Sequence, residues 1–314
     1  MNLSIVVPCY NEEGNVEIFY DEIFKIFKNK KIKYEIIFVN DGSTDKTINK
    51  LNELLTRNEQ NIKVVNFSRN FGKEAAMYAG LKESTGKFVT IIDADLQQRP
   101  EIILQMLDIL KTSDEYDTVA AYQKERKEGK ILTFFKDSFY KIINSISSVR
   151  FVKGASDFRT FRRVVVDAIL DISEYNRFSK GIFSYVGFKT YYDSYKVEER
   201  KGGTTKWNKV KLFNYAFDGI VAFSTKPLRF ATYTGILTSF AAFIYLIVIL
   251  VKTFTTGIDT PGYASLMCVM LFLGGIQLIF LGIIGEYLGK TYNETKRRPI
   301  FIARERIGFD EDFL

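Results

Sequence analysis

Short aliphatic runs alternate along the chain with longer stretches in which apolar residues recur every three or four positions. Residues 3–8 (LSIVVP), 34–40 (YEIIFVN), 62–67 and 87–92 are apolar runs of strand length. Between them, Val16, Phe19, Ile23, Phe24 and Phe27 share one helical face. Residues 45–55, 72–81 and 102–110 read as further helices, with Thr44 or Asp45 as the expected cap of the first of these. Strand followed by amphipathic helix, repeated, predicts an α/β fold with a mostly parallel sheet. Ligands of such sheets bind beyond the C-terminal strand ends. Three strands end there in polar clusters: Pro8-Cys9-Tyr10-Asn11-Glu12, Asn40-Asp41-Gly42-Ser43 and Asp93-Ala94-Asp95.

The pattern changes after residue 225. Residues 231–251 and 260–285 carry no charge. At ~1.5 Å per residue each can cross a hydrocarbon core of ~30 Å. The connection between them is short, so they form a hairpin. Lys226 and Arg229 precede the first span, and Lys290, Lys296, Arg297 and Arg298 follow the second, which places both ends on the cytoplasmic side. Three regions result: a catalytic-sized domain over 1–225, a membrane hairpin over 228–290 with helices near 231–251 and 262–286, and a cytoplasmic tail over 291–314. Residues 131–147, rich in Phe, Tyr and Ile, fit a core helix and an interfacial helix lying on the bilayer equally well. In the tail, residues 299–304 (PIFIAR) form an apolar run, and 300–303 are expected to add to a sheet edge, of the same domain or of a neighbouring subunit in a homo-oligomer.

Composition narrows the chemistry. The 314 residues contain no histidine, which excludes Ser-His catalysis and imidazole bases or ligands. Cys9 and Cys268 are the only cysteines and lie in regions of different character, so no disulfide framework is expected. The net charge of +7 suits phosphorylated or anionic-lipid partners. The apolar spans favour lipid, and no nucleic-acid partner is expected. The first residues lack a basic segment followed by a long apolar run, so no signal peptide is expected.

Asp93 and Asp95 close the strand FVTIID, and Gln97 follows. Two carboxylates two residues apart diverge if the strand continues and converge if the chain turns. With Gln97 they supply oxygen donors suited to Mg²⁺ or Mn²⁺ shared with a diphosphate. Lys124, Arg126 and Lys127 form a basic cluster suited to an acceptor phosphate.

The segments IVVPCYNEEGNV, FVNDGSTDKT, FSRNFGKEAAMYAGL, IIDADLQQRPE, GASDFRTFRR and RKGGTTKW occur in this order. Together they resemble glycosyltransferase family 2, of GT-A fold, and within it the polyprenyl-phosphate group that includes bactoprenol glucosyltransferases and dolichyl-phosphate mannose synthases. The resemblance spans nearly the whole chain. It implies that Pro8, Tyr10, Glu12 and Asp41 bind the nucleotide base and ribose, and that Asp93, Asp95 and Gln97 occupy nucleotide and metal positions, with Asp95 and Gln97 the better ligands. Residues 69–74 (RNFGKE) line the donor site, where Gly72 permits close backbone approach and Lys73 reaches the nucleotide or the acidic cluster. Asp157 matches the proposed catalytic base. A lipid phosphate monoester, with a second pKa near ~6, needs positioning more than deprotonation, so Asp157 serves equally well to orient the sugar. Arg200, Lys206 and Trp207 match a loop that closes over the diphosphate. Gln123 stands where many members carry arginine. The implied reaction is inverting transfer of a hexose, foremost glucose from UDP-glucose, to polyprenyl phosphate. UDP-GlcNAc, UDP-galactose and GDP-mannose are the alternative donors. A processive polysaccharide synthase lacks support, since no Q-x-x-R-W segment occurs. The intact acidic triplet argues against a non-enzymatic scaffold.

Overall fold

The computed structural model describes residues 1–57, 61–123, 140–141, 143–145, 147, 149–195, 219–256 and 262–309. The strands are β1 (Leu3–Cys9), β2 (Tyr34–Asn40), β3 (Ile62–Phe67), β4 (Phe88–Ile91), β5 (Thr118–Gln123), β6 (Ala155–Arg162), β7 (Thr190–Tyr195) and β8 (Ala303–Ile307). The helices used below are α1 (Val16–Phe27), α2 (Thr47–Thr56), α3 (Lys73–Glu83), α4 (Ile102–Thr112), α5 (Arg163–Asp171), α6 (Ser179–Tyr185), α7 (Lys226–Thr256) and α8 (Tyr263–Thr295). One sheet runs in the order β7-β5-β6-β4-β1-β2-β3-β8. The pairs β1·β2, β1·β4, β2·β3 and β5·β7 are parallel, while β6 runs against both its neighbours and β8 runs against β3.

Both sheet faces are covered, which is why the central strands are mostly apolar. In β1, Leu3, Ile5 and Val7 join the core beneath α1, α2 and α4, while Val6 faces the core beneath α3, α5 and α6. In β2, Ile36 and Phe38 point to the first core, and Ile37 and Val39 to a third cluster with Ala75, Ala76 and Ala79 of α3. Helix α3 lies close on the sheet because it is lined with small residues. A Cβ on Gly80 would stand 2.1 Å from a Val6 methyl.

The helices anticipated from apolar spacing are present, with ends shifted by a few residues. Lys46, rather than Thr44 or Asp45, occupies the cap position of α2. Asp45 still does the capping work, since its carboxylate accepts the Thr47 amide at 3.0 Å. Within 131–147, Ile143 is buried in the core beside Phe151 and Phe178, which supports the packing reading for that end. Residues 124–139 lie outside the described residues.

Helices α7 and α8 are long and apolar enough to cross a membrane, and none of their apolar windows is buried by the protein. Both run beyond the uncharged stretches into polar flanks. The Tyr287 hydroxyl of α8 donates to the Ser224 carbonyl at 2.6 Å, tying the hairpin to the segment that leads into α7.

The tail does pair with the edge of its own β3, but the strand is Ala303–Ile307, so only the end of the expected 300–303 segment takes part: Ala303 pairs with Phe67, and the Ile302 carbonyl accepts the Ser68 amide. Ile300 and Phe301 instead pack into the third cluster, with the Phe301 ring stacked on Phe67 at 4.9 Å. The apolar run is thus spent on packing. The charged sequence ARERI that follows forms the solvent-facing edge, where charge discourages further pairing.

Candidate active site

The C-terminal strand ends converge as the topology requires. Asn11 and Glu13 after β1 interlock with the loop after β2. The Asn11 amide donates to Ser43 Oγ (2.9 Å), Asn11 Oδ1 accepts the Thr44 amide (2.9 Å), and a Glu13 oxygen accepts the Lys46 amide (3.0 Å). Glu12 belongs to this local order. Its carboxylate accepts the Asn15 side-chain amide at 2.6 Å, and its carbonyl accepts the Asn15 and Val16 amides that open α1. Tyr10 is exposed above the end of β1, and Pro8 is half-buried within it.

Asp41 is buried at the end of β2. It accepts the Phe71 amide at 2.6 Å and the Gly72 amide at 3.1 and 3.0 Å. Burial pushes its pKa above the usual carboxylate value, partly offset by these amides. Much of its acceptor capacity therefore holds the 69–72 loop. Gly42 makes the arrangement fit. It sits at φ +60°, and a Cβ there would lie 2.3 Å from the Arg69 carbonyl carbon.

Strand β4 ends at Ile91, and the chain turns at once, with Leu96 at φ +55°. Asp95 accepts the Gln97 amide at 3.1 Å within this turn, so the strand does not continue through the two carboxylates. Strand β6 runs antiparallel to β4 with Ile91 opposite Arg159. Asp93 and Asp157 each lie two residues beyond this last pair. Lys73, the first residue of α3, reaches between them. Its ammonium lies 2.7 and 2.9 Å from the two Asp93 oxygens and 3.3 Å from Asp157.

The electrostatics follow from this geometry. Burial pulls the Lys73 pKa down, but the Asp93 and Asp157 charges overcome it and hold the ammonium well above the ordinary lysine value. Burial acts to raise the Asp157 pKa, and Lys73, Lys180 and Arg159 together bring it below the usual carboxylate range. Asp157 is therefore an ionised carboxylate among cations. Glu74, one residue along α3, has its pKa raised by burial. It accepts the Ser179 amide at 2.9 Å and the Ser179 hydroxyl, which fixes α6 beside α3.

These groups open into a cleft of about 560 Å³. One wall is 69–75 with Asp157, and the other is Tyr175, Asn176, Arg177 and Lys180. The second wall escaped the sequence reading. It carries no motif, and only the tertiary fold brings it opposite Lys73. Of the sequence-based candidates, the structure brings Lys73, Asp93 and Asp157 together, with Asp41 holding the adjoining loop. Lys124, Arg126, Lys127, Arg200, Lys206 and Trp207 lie outside the described residues.

Among the described residues, no three carboxylate or thiol side chains gather into a closed metal cage. Carboxylate and amide oxygens in one turn fit a hard cation that takes its remaining ligands from a diphosphate and water. Asp93 is already charge-compensated by Lys73, which would leave Asp95 and Gln97 as the better donors to such a cation.

Comparison with known proteins extends this picture. The profile of glycosyl transferase family 2 matches residues 4–170, and that of the GtrB C-terminal hairpin matches residues 226–291. An uncharacterized glycosyltransferase of Synechocystis is 45% identical over 311 residues, 99% of this chain and 97% of that one. A prophage bactoprenol glucosyl transferase homolog of Escherichia coli is 41% identical over 305 residues, 97% of this chain and 99% of that one. The bactoprenol glucosyl transferase of Shigella phage SfX is 39% identical over 307 residues, covering 98% of this chain and 100% of that one.

Proposed function

The chain belongs to glycosyl transferase family 2, and we propose that this glycosyltransferase moves a hexose from a nucleotide-sugar to polyprenyl phosphate at the cytoplasmic membrane face. The Lys73–Asp93–Asp157 cluster in an open cleft of the domain that carries the hairpin is the observation that supports it best. The acceptor class rests on relatives named bactoprenol glucosyl transferase and on the hairpin profile. UDP-glucose is the favoured donor, ahead of UDP-GlcNAc, UDP-galactose and GDP-mannose.

A phosphate oxygen of the lipid attacks the anomeric carbon, and the bond from that carbon to the nucleoside diphosphate breaks on the opposite side. The configuration inverts, and the diphosphate leaves with the bonding pair. The acceptor monoester is largely ionised at neutral pH, so no strong base is required. Asp157, held ionised by its cations, suits orientation of sugar hydroxyls better than proton removal. Lys73 keeps Asp93 and Asp157 apart from each other's charge and offers its ammonium to the cleft. Mg²⁺ or Mn²⁺ held by Asp95, Gln97 and Asp93 would neutralise charge on the departing diphosphate. Pro8, Tyr10, Glu12 and Asp41 frame the nucleoside end. Lys124, Arg126 and Lys127 serve the acceptor phosphate, and Arg200 and Lys206 the donor diphosphate. The flanking basic residues orient both hairpin ends to the cytoplasm.

The test is incubation of the purified protein with undecaprenyl phosphate and each nucleotide-sugar in turn, with lipid products identified by mass spectrometry. A hexosyl-phospholipid from UDP-glucose supports the full reading. Product from another donor moves the sugar assignment alone, and no product from any donor refutes the acceptor.

A further inference from the structure

The last turn of the second membrane helix grips the cleft. Glu294 of α8 accepts the Tyr175 amide on both carboxylate oxygens, at 2.9 and 3.1 Å, and the Asn176 amide at 3.2 Å. Two successive backbone N–H groups on one carboxylate form a charge-assisted clamp, stronger than a neutral hydrogen bond. The clamped residues line the same cleft as Lys73 and Asp157.

This wall carries donors that the protein leaves unspent. Asn176 Nδ2 and Arg177 Nε are buried without a hydrogen-bond partner. The Arg177 side chain is otherwise fixed, with its guanidinium over the Tyr78 ring at 4.4 Å and one terminal nitrogen donating to the Ile172 carbonyl. Buried donors without partners are costly unless a ligand supplies acceptors. The cleft they line exposes more apolar than polar surface, and within it stand the charged Lys73, Asp157 and Lys180 side chains. The matching ligand is rich in oxygen acceptors, as a sugar or a diphosphate is.

We propose that residues 175–177 are a ligand-reading wall of the donor site, and that Glu294 is the positioning residue through which the membrane hairpin seats it. The identity of the ligand rests on the glycosyltransferase reading above; the seating does not. Glu294 does not itself line the cleft. It fixes the backbone from which Asn176 and Arg177 project, so hairpin and cleft are one mechanical unit. Another contact between hairpin and domain, Tyr287 to Ser224, involves no residue of this wall and provides a control.

The experiment uses the full-length protein in nanodiscs. Hydrogen exchange is followed at the Tyr175 and Asn176 amides, and UDP affinity in the presence of Mg²⁺ is measured by calorimetry. Glu294→Ala should speed exchange at both amides and weaken UDP binding by about tenfold, the loss expected for a hydrogen bond to a charged group. Glu294→Gln, which keeps an acceptor oxygen, should recover most of both. Asn176→Ala should weaken UDP or UDP-sugar binding without altering exchange at Tyr175. Tyr287→Phe should leave both readouts within about twofold of wild type. Unchanged protection of the two amides in Glu294→Ala overturns the seating. Equal losses in Tyr287→Phe and Glu294→Ala overturn it as well, since general loosening of the hairpin would then suffice. Normal affinity for both UDP and UDP-glucose in Asn176→Ala overturns the ligand-reading role. If wild type binds no UDP, the donor assignment fails while the exchange measurement still decides the seating.

Discussion

Asp41 takes the Gly72 amide on both of its carboxylate oxygens, and so the end of β2 holds the residue from which α3 and Lys73 depart. Asp41→Ala should free the 69–72 loop and leave the Phe71 and Gly72 amides without their buried acceptor, at a cost of about 1–3 kcal/mol. Thermal unfolding should show the loss, and nucleotide affinity should fall with it. Normal nucleotide affinity at reduced stability would separate the loop from the donor site.

Asp157 gives a prediction in which the base and positioning roles diverge. Its pKa lies below the usual carboxylate range because Lys73, Lys180 and Arg159 outweigh the effect of burial. It is therefore ionised across the neutral range, and its titration should not shape the rate until the pH falls below about 4. Asp157→Asn should keep measurable turnover, reduced by about 10- to 100-fold, the worth of hydrogen bonds to a charged group. Loss beyond about 10³-fold would restore the base role.

The metal assignment is separable from both. Asp95→Ala should abolish turnover while leaving the unfolding temperature within a few degrees, because Asp95 lies half-buried in a turn outside the core. Excess chelator should silence wild type in the same way. Full activity in either case would remove the cation from the mechanism.

A buried ion pair distant from the cleft predicts acid lability. Glu35 on β2 is almost fully buried and pairs with Lys63 at 2.8 Å. It also accepts the Ser4 hydroxyl at 2.5 Å and both the Thr85 amide and hydroxyl at 2.8 Å. Burial acts to raise its pKa, but Lys63 and these hydrogen bonds bring it below 4.5. The folded state thus binds this proton less readily than the unfolded chain. The pair contributes its full stability above pH 4.5, and the contribution is lost as pH falls through the lower folded value. Glu35→Gln should destabilise by about 3 kcal/mol at pH 7. The difference from wild type should shrink in acid, which denaturant titrations at several pH values would show.

Much of this arrangement was legible in the residues themselves. Strands β1 to β4 read directly, because each is largely buried on both faces and is therefore mostly apolar. The polar clusters at their C-terminal ends stood out because the polar residues within the strands, Ser4, Glu35, Lys63, Asn66 and Thr90, are isolated. Strands β5, β6 and β7 did not stand out. Strand β6 carries Asp157, Arg159 and Arg162 along a buried strand, and the opposing partners that tolerate those charges come from elsewhere in the chain. Asp157 was found by motif, but its pairing with Asp93 depends on an antiparallel register that composition does not encode. The second cleft wall depends on α8 reaching back over a hundred residues, and no local pattern announces that.

The tail offers the sharpest structural test. Strand β8 covers the edge of β3 through Val64↔Ile307, Val65↔Arg306 and Asn66↔Glu305. The Ser68 amide donates to the Ile302 carbonyl at 3.0 Å, Phe301 stacks on Phe67, and Arg306 pairs with Glu83 of α3 at 3.0 Å. Gly308 then turns at φ +80°, where a Cβ would meet the Ile62 carbonyl oxygen at 2.4 Å. Truncation after Arg298 removes all of this. It exposes the backbone edge of β3 and uncovers Phe67, whose burial with Ile300 and Phe301 is worth at least ~2 kcal/mol. The unfolding temperature in detergent should fall by at least ~4 °C. The bared edge strand, apolar and free to pair, should also promote association, so light scattering should show a higher mass that rises with concentration. Replacing Phe301 alone with Ala should lower the temperature without that rise, because β8 would still cover the edge. A truncated protein with unchanged temperature and unchanged mass would mean that the paired tail contributes nothing to the fold.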